Sequence, residues 1–111
     1  MTTITVGRAF APGAVYIGRA MPRRRIAGSP LGNPFVIGVH GTREQVIAQY
    51  RDGLIDQLSQ PGPVRQEFHR LRDLAREGDL LLGCWCSPLP CHGDVIASFL
   101  ADEMATGYSD E

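Results

Sequence analysis

The chain has 111 residues, which is enough for one domain with a hydrophobic core and too few for two. Hydrophobic residues make up 43% of it and charged residues 21%, a globular composition that excludes a globally disordered chain. The formal net charge of −1 argues against a protein coated in basic surface. Every basic side chain is nevertheless an arginine, whose planar guanidinium group suits carboxylates and phosphates.

The cysteine content and the N-terminus indicate a compartment. All three cysteines lie within residues 84–91, a crowding that suits free thiols or metal ligands better than disulfides. The N-terminal sequence MTTITV lacks the basic and apolar regions of a signal peptide, and no apolar run is long enough to span a membrane. We therefore expect a cytoplasmic protein without a membrane partner.

The first third of the chain predicts short strands and one long loop. Residues 3–6 and 14–17 have the apolar pattern of short strands. Residues 20–32 are rich in Arg, Gly and Pro and lack periodicity, which predicts a surface loop. Residues 33–38 then re-enter the core and are expected to form a brief strand.

The middle of the chain predicts two helices. Thr42 followed by Gln45 matches a capping box, and apolar residues recur behind it at helical spacing over residues 43–58. Pro63 suits the first turn of a second helix, which Gly78 ends. The side chains expected to face inward are Val46, Ile47, Tyr50, Leu54 and Leu58 in the first helix and Val64, Phe68, Leu71 and Ala75 in the second.

The last third predicts a buried strand, a tight loop and a helix. Leu80 to Leu82 form an apolar run, the sequence SPLP at residues 87–90 must turn, and a helical pattern follows to about Met104. The whole order predicts one α/β domain over residues 1–104 with a polar tail at 105–111. We expect a small Rossmann-like three-layer domain, with a short, mostly parallel sheet and about three flanking helices.

Two apolar strands joined through helices should lie parallel, so that their carboxyl ends open on the same edge of the sheet. One exit is Gly18 and Arg19, and the other holds Cys84 and Cys86. This geometry places the Arg-rich loop, residues 20–32, over the cysteine loop, residues 84–91. We predict the functional site where these two loops meet. If the second strand continues through Cys86, the two cysteines share one face and Trp85 points to the other, into the core.

Three interpretations of the cysteine loop remain open. Cys84, Cys86, Cys91 and His92 are suitable ligand types for zinc or an iron–sulfur cluster, although adjacent Cys91 and His92 are unusually spaced for converging on one ion. Alternatively, Cys91 is a reactive thiol near a helix N-terminus, with His92 and Asp94 as catalytic partners. In the third interpretation, Cys84 and Cys86 only pack, while His92 caps the helix and Asp94 accepts from backbone amides.

A second set of residues indicates ligand binding. Gly18 and Gly32 allow a close approach to the backbone, Arg19 and Asn33 supply directed hydrogen bonds, and Cys86 lies at the neighbouring strand exit. These types favour a phosphate or carboxylate, although a structural loop needs similar residues. The run Arg23–Arg25 could contact nucleic acid, but the net charge and the absence of interleaved aromatic residues argue against that partner.

The sequence resembles a known family. VYIGR at residues 15–19, GNPFVIG at 32–38, HGTREQVIAQY at 40–50 and LGCWCSPLPCHGDVI at 82–96 are similar to the phage and bacterial proteins of domain of unknown function 4326. The stretch at residues 22–27 is longer than that resemblance leads us to expect. The resemblance implies a small α/β protein related to Rossmann-type folds that bind nucleotides or nucleotide-derived sugars, with no established activity.

We therefore expect a small-ligand-binding domain for a phosphorylated or nucleotide-like molecule, without a cofactor. If it is an enzyme, we expect a hydrolase or transferase acting at a glycosidic or phosphoryl bond. The rival hypothesis is a non-catalytic adaptor whose loop is stabilised by a metal such as zinc. One apolar helix face on so small a domain is also compatible with a homodimer.

Overall fold

The computed structural model describes residues 3–105 of the chain. Three strands and three helices form its regular structure. The strands are β1 (Ile4–Arg8), β2 (Val15–Tyr16) and β3 (Leu80–Cys84), and the helices are α1 (Arg43–Leu58), α2 (Pro63–Glu77) and α3 (His92–Ala105). A short 3-10 turn, Pro22–Arg24, interrupts the loop between β2 and α1.

The three strands form one parallel sheet in the order β1–β3–β2. Leu82 in the central strand lies opposite Val6 on one side and Val15 on the other. All three strands therefore end at the same edge of the sheet, where Arg8 lies opposite Cys84. This confirms the mixed α/β fold with a short parallel sheet and three helices, and the neighbouring exits of β2 and β3.

The helix boundaries follow local sequence signals. At the start of α1 the Thr42 hydroxyl accepts from the Gln45 amide, while the Gln45 side chain accepts from the Thr42 amide at 2.8 Å. This is the reciprocal capping predicted from the sequence. Pro63 opens α2, where its missing amide hydrogen costs nothing, and Gly78 follows its last residue. Both predicted helices are confirmed.

The core lies between the sheet and the helices. Leu80, Leu82 and Cys84 share one face of β3 and are buried. α2 and α3 contact the strands, and α1 packs on these two helices. The predicted inward residues of α1 and α2 all belong to this core: Val46, Tyr50, Leu54, Phe68, Leu71 and Ala75 are buried, and Ile47, Leu58 and Val64 are partly buried.

Two local predictions are wrong. Residues 33–38 form no strand, and only an isolated bridge joins Ile37 to Gly41. β3 ends at Cys84 because the backbone turns there, with the Ser87 amide donating to the Cys84 carbonyl. Strand alternation therefore does not relate Cys84 to Cys86, and the Trp85 side chain is 47% exposed instead of lying in the core.

The Arg-rich loop at residues 20–32 folds back on the end of β2. Met21 and Ile26 pair as an antiparallel bridge around the 3-10 turn. The Ser29 amide donates to the Gly18 carbonyl at 2.9 Å. Gly28 lies so close to the Ala20 backbone that a Cβ atom would clash with it. The additional residues at 22–27 thus form a compact turn above the strand exit.

The predicted polar tail lies largely outside the described residues, since only Ala105 is described and it ends α3. Among residues 3–105 no helix combines the length and the apolar character that a membrane crossing requires.

Candidate ligand-binding site

A cleft of about 290 Å³ opens where β2 and β3 end. The exit of β2 contributes Gly18 and Arg19 to its lining, and the exit of β3 contributes Trp85 and Cys86. The opposite walls come from the N-terminal residues of α1 and α3 and from the segment that contains Asn33. Crevices at the carboxyl ends of parallel strands are where open α/β sheets bind their ligands.

The charged side chains that line the cleft are all cationic. Two of its fifteen lining residues are arginines, Arg19 and Arg43, and none of the fifteen is an aspartate or glutamate. Arg43 is the first residue of α1, and its Nη1 donates to the Pro90 carbonyl at 2.9 Å. This contact ties the start of α1 to the cysteine loop across the cleft. The lining therefore favours an anion.

The side-chain amide of Asn33 uses its oxygen in a hydrogen bond within the protein and offers its nitrogen to a ligand. Its Oδ1 accepts from the Phe35 amide at 2.9 Å, which closes a local turn. Its Nδ2 group is the remaining donor of a side chain that lines the cleft. Asn33 therefore both shapes the wall and offers a hydrogen bond toward a ligand.

Cys91 caps α3 at the floor of the cleft. Its Sγ accepts from the Gly93 amide at 3.3 Å, and its own amide donates to Asp94 Oδ2 at 3.0 Å. This reciprocal pair has the form of a capping box, with a thiol where Ser or Thr is usual. Asp94 itself is exposed. It accepts from a backbone amide at the start of α3, as the packing interpretation predicted. The capping expected of His92 is made by Cys91 instead, because the His92 ring contacts the Ile17 carbonyl.

Cys84 and Cys91 share a hydrogen bond. Cys84 donates, which lowers the pKa of the Cys91 thiol, and the Gly93 amide lowers it further against the opposing effect of burial. The same hydrogen bond to Cys91, together with burial, raises the pKa of Cys84 to about 12. Cys91 is therefore the thiol of this pair that ionises first, and Cys84 keeps its proton.

The orientation of His92 is fixed from two sides. Its Nε2 lies 2.7 Å from the Ile17 carbonyl, and because a carbonyl only accepts, Nε2 carries a hydrogen and donates. The ring also meets the Tyr50 ring edge-on at 5.0 Å, and the Tyr50 hydroxyl donates to the buried Leu31 carbonyl at 2.7 Å. Nδ1 is the nitrogen left for a thiol, a ligand or a metal.

Cys84, Cys91 and His92 could hold a metal ion. Their ligand atoms all lie within 4.8 Å of one another, and all three residues are buried. Tetrahedral zinc at about 2.3 Å from sulfur places its ligand atoms roughly 3.5–3.8 Å apart, so binding requires only a small contraction. The His92 hydrogen bond to a backbone carbonyl is also the usual second contact of a metal-ligating histidine.

The structure brings most of the predicted site residues together. Seven of them line the cleft: Gly18, Arg19, Asn33, Cys84, Cys86, Cys91 and His92. Asp94 does not line it and is exposed at the start of α3. Gly32 lies beside the cleft, and a Cβ added to it would come within 3.1 Å of the Gly18 carbonyl oxygen, a tight contact. Arg43 also lines the cleft and is not among the predicted site residues, although its place in the first turn of a capped helix is a signal that indicates such a position.

A comparison with protein families assigns nearly the whole chain to one family. The model of the family described as Domain of unknown function (DUF4326) matches residues 4–102, nearly the whole chain. The chain belongs to this family. The match confirms the resemblance inferred from the motifs, and the DUF4326 region includes every element that lines the cleft. Searches of curated proteins and of solved structures found no match.

Proposed function

We propose that the cleft binds a small phosphorylated or nucleotide-like ligand. The observation that carries the proposal is that Arg19 and Arg43 both line a crevice at the strand ends, and that no carboxylate is among the residues lining it. Guanidinium groups form charge-assisted, often bidentate hydrogen bonds with phosphate oxygens. Asn33 adds a neutral donor on the same wall. The cleft volume of about 290 Å³ suits a small molecule or one part of a larger one.

Two helix ends support the same ligand class. Arg43 and His92 are the first residues of α1 and α3, and both line the cleft. The N-terminal turn of a helix carries partial positive charge and favours anions. At the start of α3 the cap already uses several amides, and Asp94 adds a carboxylate there, so the main contributions come from the start of α1 and the two guanidinium groups. These groups favour a ligand with at least one negative group.

Cys91 is the proposed nucleophile if the ligand is also a substrate of a hydrolase or transferase. Its sulfur receives the Gly93 amide hydrogen and the Cys84 thiol hydrogen, contacts that stabilise a thiolate. The thiolate would bond to an electrophilic carbon or phosphorus while the bond to the leaving group breaks, and water would then release the product. His92 offers Nδ1 for proton transfer, and Asp94 holds the helix start that positions Cys91.

Calorimetric titration with inorganic phosphate and with 5′-nucleoside monophosphates tests the binding proposal. Asn33→Asp keeps the oxygen that accepts from Phe35 but places a negative charge in the cleft, so we expect at least tenfold weaker binding. Arg43→Gln should have a similar effect. Arg51→Gln, a surface arginine on the same helix, is the matched control and should change nothing. Unchanged affinity in both cleft variants would overturn the proposal.

A second candidate function is a zinc-stabilised adaptor. The observation that favours it is the buried set of Cys84, Cys91 and His92. Cys86 or a ligand in the cleft would complete four-coordination. Native mass spectrometry should then show one zinc ion per chain that Cys84→Ser removes, and chelation should lower the melting temperature sharply. Purified protein that binds no added zinc and whose thiols react freely would reject this candidate.

A further inference from the structure

Three aromatic side chains form an aromatic patch beside the cleft: Phe10, Tyr16 and Trp85. Phe10 stacks on Tyr16 and meets Trp85 edge-on, with ring centroids 5.2 Å apart in each pair. Trp85 Nε1 donates to the Tyr16 hydroxyl at 2.8 Å, and that hydroxyl donates to the Arg19 carbonyl at 2.7 Å. Phe10 is nevertheless 57% exposed. The patch is therefore held in a fixed arrangement while its rings face solvent.

Arginines surround this aromatic patch. The Arg24 guanidinium lies over the Trp85 ring, 5.5 Å from its centroid. Arg8 lines a shallow hollow together with Phe10 and Trp85, and no carboxylate is among the residues that line this hollow. Arg23 is exposed beside Arg24 in the 3-10 turn. Arg8 and Arg24 thus lie beside the aromatic patch, and Arg23 is an exposed neighbour of Arg24 in the chain.

The chain also separates its charges along the sequence. Residues 1–43 contain six arginines and no acidic residue, and all twelve carboxylate side chains follow from Glu44 onward. The six are Arg8, Arg19, Arg23, Arg24, Arg25 and Arg43. A net charge of −1 therefore conceals a basic N-terminal region and an acidic remainder. Such asymmetry favours contact with a polyanion through the basic part.

We propose that the aromatic patch and its arginines bind single-stranded nucleic acid. A base would stack on the exposed ring of Phe10, and a second base would stack on Trp85 as the Arg24 guanidinium that lies over that ring moves to a phosphate. Arg8 and Arg23 would contact further phosphates. Exposed rings interleaved with cations are how proteins hold single strands without reading their sequence. A duplex keeps its base faces stacked inside the helix and cannot use these rings. The proposal goes beyond the small ligand of the cleft. Trp85 lines both sites, but Phe10, Arg8, Arg23 and Arg24 are not among the residues that line the cleft.

The single tryptophan provides a direct readout. Trp85 is the only tryptophan of the chain, so all tryptophan emission comes from the aromatic patch and the edge of the cleft that Trp85 also lines. Quenching that persists in the cleft variants Arg43→Gln and Asn33→Asp is assigned to the patch. Titration with oligomers of thymidylate and of uridylate, each about 12 nucleotides long, should quench that emission. Quenching by either oligomer supports the proposal, and the ratio of the two affinities shows whether the 2′-hydroxyl contributes. No quenching by either at low salt would overturn it.

Salt dependence tests the arginines. The double variant Arg23→Ser with Arg24→Ser should reduce the slope of log K against log salt by roughly 1.4, at about 0.7 per lost phosphate contact on a single strand. The matched control, Arg51→Ser with Arg70→Ser, removes the same charge from α1 and α2 and should leave the slope unchanged. An equal reduction in the control would show non-specific attraction and overturn the assigned surface.

Further variants separate stacking from charge and this site from the cleft. Trp85→Ala should weaken oligomer binding measured by anisotropy by about tenfold or more, with circular dichroism checking the fold. Arg43→Gln and Asn33→Asp should leave oligomer binding intact while weakening phosphate binding. If polyglutamate or a DNA duplex competes as well as the single strand, the surface binds polyanions or acidic partners in general, and the proposal is wrong.

Discussion

The loop between β3 and α3 joins two regions of opposite character. On the inner side, Cys84, Cys91 and His92 are buried, and each has a hydrogen-bond partner inside the protein. On the outer side, Trp85 lies with Phe10 in the exposed aromatic patch. Residues adjacent in sequence therefore lie in different environments. The inner region holds reactive groups in one geometry, whereas the outer region presents rings to solvent.

Burial explains why the same kinds of contact differ in energy between these regions. A hydrogen bond in the interior is strengthened by the low local dielectric, and losing it leaves an unpaired buried group. On the surface, water replaces a lost partner. Substitutions in the inner region should therefore change stability and thiol chemistry, and substitutions in the outer region should mainly change binding.

The largest effect is expected at Gly83, where the two regions meet. A Cβ added at this position would clash with the Ala9 carbonyl group, whose carbon atom would be only 2.9 Å from it. The Ala9 carbonyl is part of the backbone and cannot turn aside as a side chain could. Gly83→Ala should therefore lower the free energy of unfolding by about 3 kcal/mol. Urea denaturation followed by circular dichroism measures the change.

Gly53→Ala is the control for Gly83→Ala. Gly53 lies within α1, and a Cβ there meets nothing within 4 Å. Alanine has the higher helix propensity, so this variant should gain roughly 0.5–1 kcal/mol in stability. If Gly83→Ala were as stable as Gly53→Ala, the close approach of β1 and β3 described here would be wrong.

The second effect concerns the order in which the three thiols react. Cys86 is the most exposed of them and should be alkylated first by iodoacetamide. Cys91 should follow, because its lowered pKa favours the reactive thiolate, and Cys84 should be last, because its pKa is raised to about 12. Peptide mass spectrometry at several pH values gives the three rates.

Removal of Cys91 sharpens this test. The hydrogen bond to Cys91 is the largest cause of the raised pKa of Cys84. Cys91→Ala should therefore bring the pKa of Cys84 down and make Cys84 react faster at a given pH. Labelling of Cys84 before Cys91 in the wild-type chain would contradict the proposed direction of the hydrogen bond.

The sequence predicted the elements whose signals are local. The Thr42 and Gln45 capping box, Pro63 and Gly78 mark helix ends by short-range hydrogen bonds and backbone preferences, and the structure has both helices at these bounds. The end of β3 was placed too late because the turn at Cys84 depends on the loop beyond it. Apolar residues alone could not show where that strand stops.

The site was only partly predictable for the same reason. Parallel strand exits follow from topology, which is why Arg19 and Cys86 were expected near each other and do share the cleft. Arg43 reaches the cleft only through the packing of α1, and Trp85 was assigned to the core by its apolar type. The spacing of residues in the sequence does not determine where a helix lies relative to the sheet. It also does not predict the contact of Phe10 with Trp85.

The smallest expected effect is the loss of stability when a tyrosine hydroxyl is removed, which we compare for one tyrosine in each region. The Tyr50 hydroxyl donates to the carbonyl of Leu31, a residue only 1% exposed, and the Tyr16 hydroxyl donates to the Arg19 carbonyl at the surface. Tyr50→Phe should lower the free energy of unfolding by about 1–2 kcal/mol, because the Leu31 carbonyl loses its donor without access to water. Tyr16→Phe should cost less than about 0.5 kcal/mol, because water can hydrogen-bond the groups it frees.

Urea denaturation of both variants checks this difference. Phenylalanine keeps the ring in each case, so the edge-on contact of residue 50 with His92 and the stacking of residue 16 on Phe10 are retained. The measured difference therefore isolates the hydroxyl groups. Equal losses would show that the two regions do not differ in water access, and the division into a buried inner region and an exposed outer region would then lose its physical basis.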